Sequence, residues 1–198
     1  MGTALTCRKI GVLMLSVALF AGCTMDPARD RVSVVQPATT VIPSGTGDPR
    51  AAAAVSTYRA FLKTANNAFR RPAMAVRSRY PEGSNFAKYS VDPIQAQYEA
   101  FISALVQAHH SFRGTPPRST VTVTAIDLAA EPYPLVTLSD CQTETDTWRA
   151  YSTRTNAVNP QLTPGVAAPY GITVNVAYVQ KRWRVQTIKP DPAGTCAG

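Results

Sequence analysis

Histidine is scarce in this chain of 198 residues: His109 and His110 are the only two, and they are neighbours. On a helix adjacent side chains point about 100° apart, so both cannot face one site. Neither has a carboxylate or cysteine at metal-ligand spacing, so no metal site and no cofactor are expected. The four cysteines form no CxxC pair, which argues against a dithiol redox centre and against zinc. No serine-hydrolase elbow surrounds Ser139, and no internal repeat is present. Beyond residue 22 no apolar run approaches the 20 or so residues that a bilayer span needs. These absences leave no catalytic residue to nominate.

What is present begins with targeting. Arg8 and Lys9 precede the apolar run "IGVLMLSVALFAG", Ile10 to Gly22, and together they read as the n- and h-regions of a secretory signal. The run ends in "LFAGC", which resembles the lipobox of bacterial lipoproteins, with small Ala21 and Gly22 before the cysteine. The resemblance implies cleavage ahead of Cys23 and attachment of a lipid to its sulfur. Phe20 stands where such motifs more often carry Leu. Cys7 would leave with the leader, and Cys23 would carry the lipid.

Two cysteines then remain, Cys141 and Cys196, in a compartment where disulfides persist. A bridge between them is worth roughly 4 kcal/mol in the chain-entropy description. Loss of the leader removes Arg8 and Lys9 and no acid, which lowers the net charge from +8 to about +6. Such a balance favours anionic surfaces without specifying a partner. Nucleic-acid binding conflicts with export, so no nucleic-acid partner is expected. The denser basic groups, "FRRPAMAVRSRY" and "QKRWRV", read as solvated faces.

Residues 24–48 mix Pro, Thr, Ser and Gly without period, the composition of a flexible tether. From residue 49 to 198 the length suits one domain. Asp48 as cap and Pro49 at the first helical position open a helix with the stripe Val55, Tyr58, Leu62, Ala65 and Phe69, and Pro72 ends it. Asp92 and Pro93 open a second, with Ile94, Tyr98, Phe101, Ile102, Leu105 and His109 on its stripe and Gly114 as its stop. A short helix or irregular connection lies between them.

After Thr120 the apolar period becomes two. "TVTVTAIDL", "YPLVTLSDCQ", "DTWRAYSTR", "YGITVNVAYVQ" and "KRWRVQTIK" are strand candidates, and residues 156–169 form a Pro-rich loop. The last two strands make a hairpin whose turn, Gln180–Lys181, lacks the usual Gly or Asn, which leaves its register open. Helices followed by antiparallel strands give an α+β domain: N-terminal helices packed on one curved antiparallel sheet. Tyr58, Leu62, Phe101, Ile102 and Leu105 are expected to meet the inner face of that sheet.

The run "STYRAFLKTANNAFRRP", a second helix, "VTLSDCQTETDTW" and then "AYVQKRWRV" before a late cysteine resembles actinobacterial lipoproteins with a nuclear-transport-factor-2-like domain. The resemblance spans residues 50–196 and implies a conical fold, not an activity. Such relatives commonly carry an Asp-Gly turn in the last hairpin, which this chain lacks. Related cones include ketosteroid-isomerase and polyketide-cyclase-like enzymes, which hold an acid, a base and often Tyr or His.

Among the acids near strands, Asp127 interrupts the apolar "AIDLAA", whereas Asp140, Glu144, Asp146 and Glu131 fall near expected turns or strand ends. A general base at Asp127 would require burial. Tyr58, Tyr98, Phe101, Asp127, Trp148 and Tyr178 are candidate cavity-lining residues. The expected role is a membrane-anchored extracytoplasmic lipoprotein that binds an envelope protein or a small apolar ligand without catalysis. A small isomerase, cyclase or hydrolase is the second reading, and a component of a secretion or conjugation apparatus the third.

Overall fold

The computed structural model describes residues 47–77, 86–163, 168–191, 194 and 196. The leader, Cys23 and all of the tether before residue 47 lie outside the described residues. Four helices come first, α1 (Pro49–Arg70), α2 (Pro72–Arg77), α3 (Phe86–Tyr89) and α4 (Ile94–Gln107). Six strands follow, β1 (His110–Arg113), β2 (Arg118–Asp127), β3 (Leu135–Thr143), β4 (Arg149–Ser152), β5 (Tyr170–Val179) and β6 (Arg182–Pro190). The fold is α+β.

Helix α1 starts as its sequence predicts. The Asp48 carboxylate accepts from the Arg50 amide at 2.8 Å, and Pro49, which has no N–H to orphan, fills the first turn. Its buried stripe is Ala51, Ala54, Tyr58, Phe61, Ala65 and Ala68. Small alanines let the backbone approach the sheet, while Tyr58 and Phe61 are wholly buried, each worth about 1.5–3 kcal/mol. Phe61, not Leu62, holds the centre of this face; Leu62 is only partly buried. Pro72 does stop α1, and it also begins α2.

Four strands form an antiparallel sheet in the order β2-β3-β5-β6. Alternation places Val136 and Leu138 of β3, Ile172, Val174 and Val176 of β5, and Val185 of β6 in the core beneath the helices. Register shifts interrupt β2 between Val123 and Ala125 and the β5–β6 ladder beside Val176, the irregularities that bend and twist a ladder. Cys141 on β3 is joined to Cys196, with their Cα atoms 5.8 Å apart, so the bridge ties a central strand to the segment following β6.

Three expectations are corrected. The strand cut from "DTWRAYSTR" does not join the main sheet: β4 pairs with β1, His110 opposite Ser152 and Arg113 opposite Arg149. The second helix does not carry His109 on its stripe or run on to Gly114. Helix α4 ends at Gln107, His109 takes a left-handed conformation at φ 55°, and His110 begins a strand. Phe101 is 39% exposed and packs edge-on against Phe69 instead of entering the sheet core.

The last hairpin, finally, has a defined register. Val179 pairs with Arg182, and Gln180 and Lys181 both adopt positive φ, 52° and 63°. That is the left-handed pair that a two-residue turn with matching strand twist demands, here made without Gly or Asn.

Candidate functional site

A cleft of about 290 Å³ opens between α1, α4 and the edge of the sheet. Helix α1 supplies Leu62, Ala65, Asn66 and Phe69, and α4 supplies Tyr98. Phe112 of β1 and Trp148, just before β4, close one side with their rings stacked at 5.3 Å. This is what the small β1–β4 ribbon does: it carries two aromatic rings to the cleft's rim. Leu162 from the following loop completes the apolar wall.

The opposite wall is polar and comes from strands. Ser119 of β2, Gln142 of β3, Glu144 just beyond it and Tyr170 of β5 face the same space. Their positions are set from behind by Asp140, which is 0% exposed. Its Oδ2 accepts from the Tyr58 hydroxyl at 2.7 Å and from Gln142 Nε2 at 3.0 Å, and its Oδ1 accepts from Ser119 Oγ at 2.6 Å. Because Gln142 donates its amide nitrogen to Asp140, its Oε1 is left facing the Tyr170 hydroxyl, which donates to it at 3.0 Å. Tyr170 also lies 3.4 Å from Glu144 Oε1.

Electrostatics keep these hydroxyls protonated. Burial, and then the charge of Glu144, push the Tyr170 phenol up to about 12. Burial pushes Tyr98 up to about 12 as well. Tyr58 is shifted upward further, by burial first and by Asp140 second. All three are hydrogen-bond donors throughout the physiological range.

Chemically the cleft offers stacking surfaces, hydroxyls, two amides and one carboxylate. Asp140 does not line it, and three donors occupy its two oxygens, so it holds other groups in place. No histidine or cysteine lines the wall described, and no group of three or more His, Cys, Asp or Glu among the described residues is placed to hold a metal ion.

Of the six predicted lining residues, the structure brings Tyr98 and Trp148 into the cleft. Tyr58 lies under it in the core, reaching it only through Asp140. Phe101 lies outside. Asp127 is at the end of the edge strand β2, where its carboxylate accepts from the Ala129 amide at 3.0 Å, a local turn contact. Tyr178 is 40% exposed at the other end of β5, against Trp183.

Asp127 is thus an edge-strand residue and not a buried base, whereas Asp140, expected near a turn or strand end, is the buried acid. The signal was in the sequence. Val136, Leu138, Asp140, Gln142 and Glu144 share one parity, so a strand that buries its valine and leucine must turn the three polar groups the same way.

No protein-family model and no curated protein matches the chain. Four chains of solved structures match, among them the intermembrane space region of the chloroplast protein ARC6. That similarity has 12% identity, covers 73% of this chain and 96% of the other, and has a TM-score of 0.45. A likeness of that degree does not inform the reading of the cleft.

Proposed function

We propose that this chain is a lipid-anchored lipoprotein of the cell envelope whose domain, a nuclear-transport-factor-2-like cone, binds a small ligand without transforming it. The anchor is Cys23 and the tether residues 24–48. The observation that carries the binding role is the cleft itself. It pairs an aromatic wall with oriented hydroxyl and amide groups, the composition of a small-molecule site. Its buried acid is consumed in positioning Ser119 and Gln142, which supports binding over turnover.

The probe N-phenyl-1-naphthylamine, apolar and uncharged, tests this role on the whole chain from residue 23 onward, made without lipid. Saturable fluorescence enhancement is expected. Asn66→Trp, which puts bulk at the half-buried mouth of the cleft, should weaken it by about tenfold or more, a loss of ~1.4 kcal/mol. An unchanged titration in that variant would place the probe elsewhere and sink the reading.

One observation favours the enzyme reading: a buried acid, Asp140, bonded to a tyrosine hydroxyl next to an open cleft. It would require Asp140 to be uncovered when a substrate binds, since Ser119 and Gln142 stand between it and the cleft. A substrate whose turnover is abolished by Asp140→Asn while its binding persists would favour catalysis.

A further inference from the structure

The cleft continues past its apolar wall. Leu62 and Asn66 of α1, with Pro117 and Ser119 facing them, also border a second, more open depression of about 450 Å³. Its remaining lining is Arg59, Lys63, Asn67, Arg70 and Pro116, basic at three of the five positions. Arg59 and Lys63 stand four residues apart on α1, so they share one face of the helix. Both are exposed, and among the described residues neither forms an ion pair. Arg70, further along the same depression, is already engaged. It donates to the Gly114 carbonyl at 2.9 Å, and its guanidinium lies 5.3 Å from the centre of the Trp148 ring.

Charge of the other sign lines the cleft itself. Glu144 is the carboxylate among the lining residues, next to the Tyr170 phenol. The combined site therefore separates its charges: an acid beside the aromatic rings of the cleft and, in the open depression, two cations free of ion pairs among the described residues. An anionic group placed in the cleft would sit beside Glu144, which Coulomb repulsion disfavours. The same group turned outward would meet Arg59 and Lys63.

We infer that the site takes a small acidic amphiphile, its apolar body in the aromatic cleft and its carboxylate, sulfonate or phosphate over Arg59 and Lys63. This rests on the binding role proposed above and adds the chemical class. A volume of about 290 Å³, at ~30 Å³ for each water-sized group, takes about ten non-hydrogen atoms, the size of one naphthyl ring system, and a further ring would lie in the open depression beside it. The flat rings of Tyr98, Phe112 and Trp148 suit an aromatic or short-chain body. The basic pair is exposed, so its attraction is screened over ~8–10 Å at ordinary ionic strength. Selection for the anionic head is accordingly a salt-dependent one.

Two probes that share an aromatic body and differ in charge separate the head from the body. They are 8-anilinonaphthalene-1-sulfonate and N-phenyl-1-naphthylamine, titrated against the same unlipidated chain from residue 23. The sulfonate should bind more tightly than the neutral amine, and added salt should erode that advantage. Arg59→Glu with Lys63→Glu should weaken the sulfonate by about tenfold, as expected for turning two exposed attractions into repulsions. The same pair should leave the neutral amine within twofold.

Arg182→Glu, at the far hairpin, controls for overall charge and should change neither. Equal binding of the two probes, with no response to the α1 reversal, would overturn the acidic-ligand inference and leave the binding role standing. Binding of both probes that ignores Asn66→Trp, or no binding at all, would overturn the two together.

Discussion

The Tyr58 hydroxyl donates to Asp140 Oδ2 at 2.7 Å across 82 positions of sequence, joining the middle of α1 to the middle of β3. Both residues are fully buried, so neither partner has water to fall back on. Tyr58→Phe keeps the ring and removes one of the three donors to a buried carboxylate. It should cost about 1–3 kcal/mol of unfolding free energy, measured as a shift of the denaturant midpoint. Tyr133→Phe, at an exposed position, should stay within about 0.5 kcal/mol.

Alkaline pH should unfold the protein through its phenols. Tyr98 and Tyr170 titrate at about 12 in the folded chain against about 10 when unfolded. A raised folded value means that the stabilising contribution is complete below pH 10 and is lost as pH climbs to 12, because the unfolded chain releases its protons first. Stability measured by denaturant titration should thus be level up to about pH 9 and fall between 10 and 12. Tyr98→Phe should flatten part of that fall; an unchanged slope would mean that Tyr98 is solvated.

The Cys141–Cys196 bridge spans 55 positions. Its reduction should remove about 4 kcal/mol, which for a domain of this size corresponds to a melting point lower by roughly 8–16 °C. Thiol labelling of the unreduced, denatured protein should find neither sulfur free. A melting point that does not respond to reductant would show the loop to be constrained by other contacts.

Gly114 has φ 97°, and a Cβ there would overlap the carbonyl of Thr147. Gly114→Ala combines a left-handed backbone with a backbone collision and should destabilise by about 2–4 kcal/mol. Gly47→Ala, where nothing lies within 4 Å, serves as the neutral comparison. Because Thr147 adjoins Trp148, the Gly114 variant should also weaken N-phenyl-1-naphthylamine binding.

The anchor has its own test. Protein extracted from membranes should begin at Cys23 and carry acyl mass, and Cys23→Ala should release it from the membrane fraction. A mass matching the unprocessed chain, leader included, would remove the anchor from the proposal.

Much of the architecture was legible because local rules produce it. Asp48–Pro49 announces a helix start, and alternating apolar residues announce β2, β3 and β5. The candidate site was legible only in part. Tyr98 and Trp148 were found, whereas Phe101, Tyr178 and Asp127 belong to other surroundings. "HHSFR" reads as the end of a helix because His109 keeps the spacing of the stripe and Gly114 follows as a natural stop. It becomes a strand because β4 supplies ladder partners that only the folded chain brings within reach.

What the sequence alone determines here is whatever depends on neighbours along the chain: the caps, the periods of 3.6 and 2, and the parity that turns Asp140, Gln142 and Glu144 one way. What the tertiary structure decides is which acid is buried, that β1 and β4 stand apart from the main sheet, and that Phe112 and Trp148 meet Tyr98 across a cleft. Those outcomes depend on contacts between residues tens of positions apart, and the competition among such contacts leaves no mark on a local pattern.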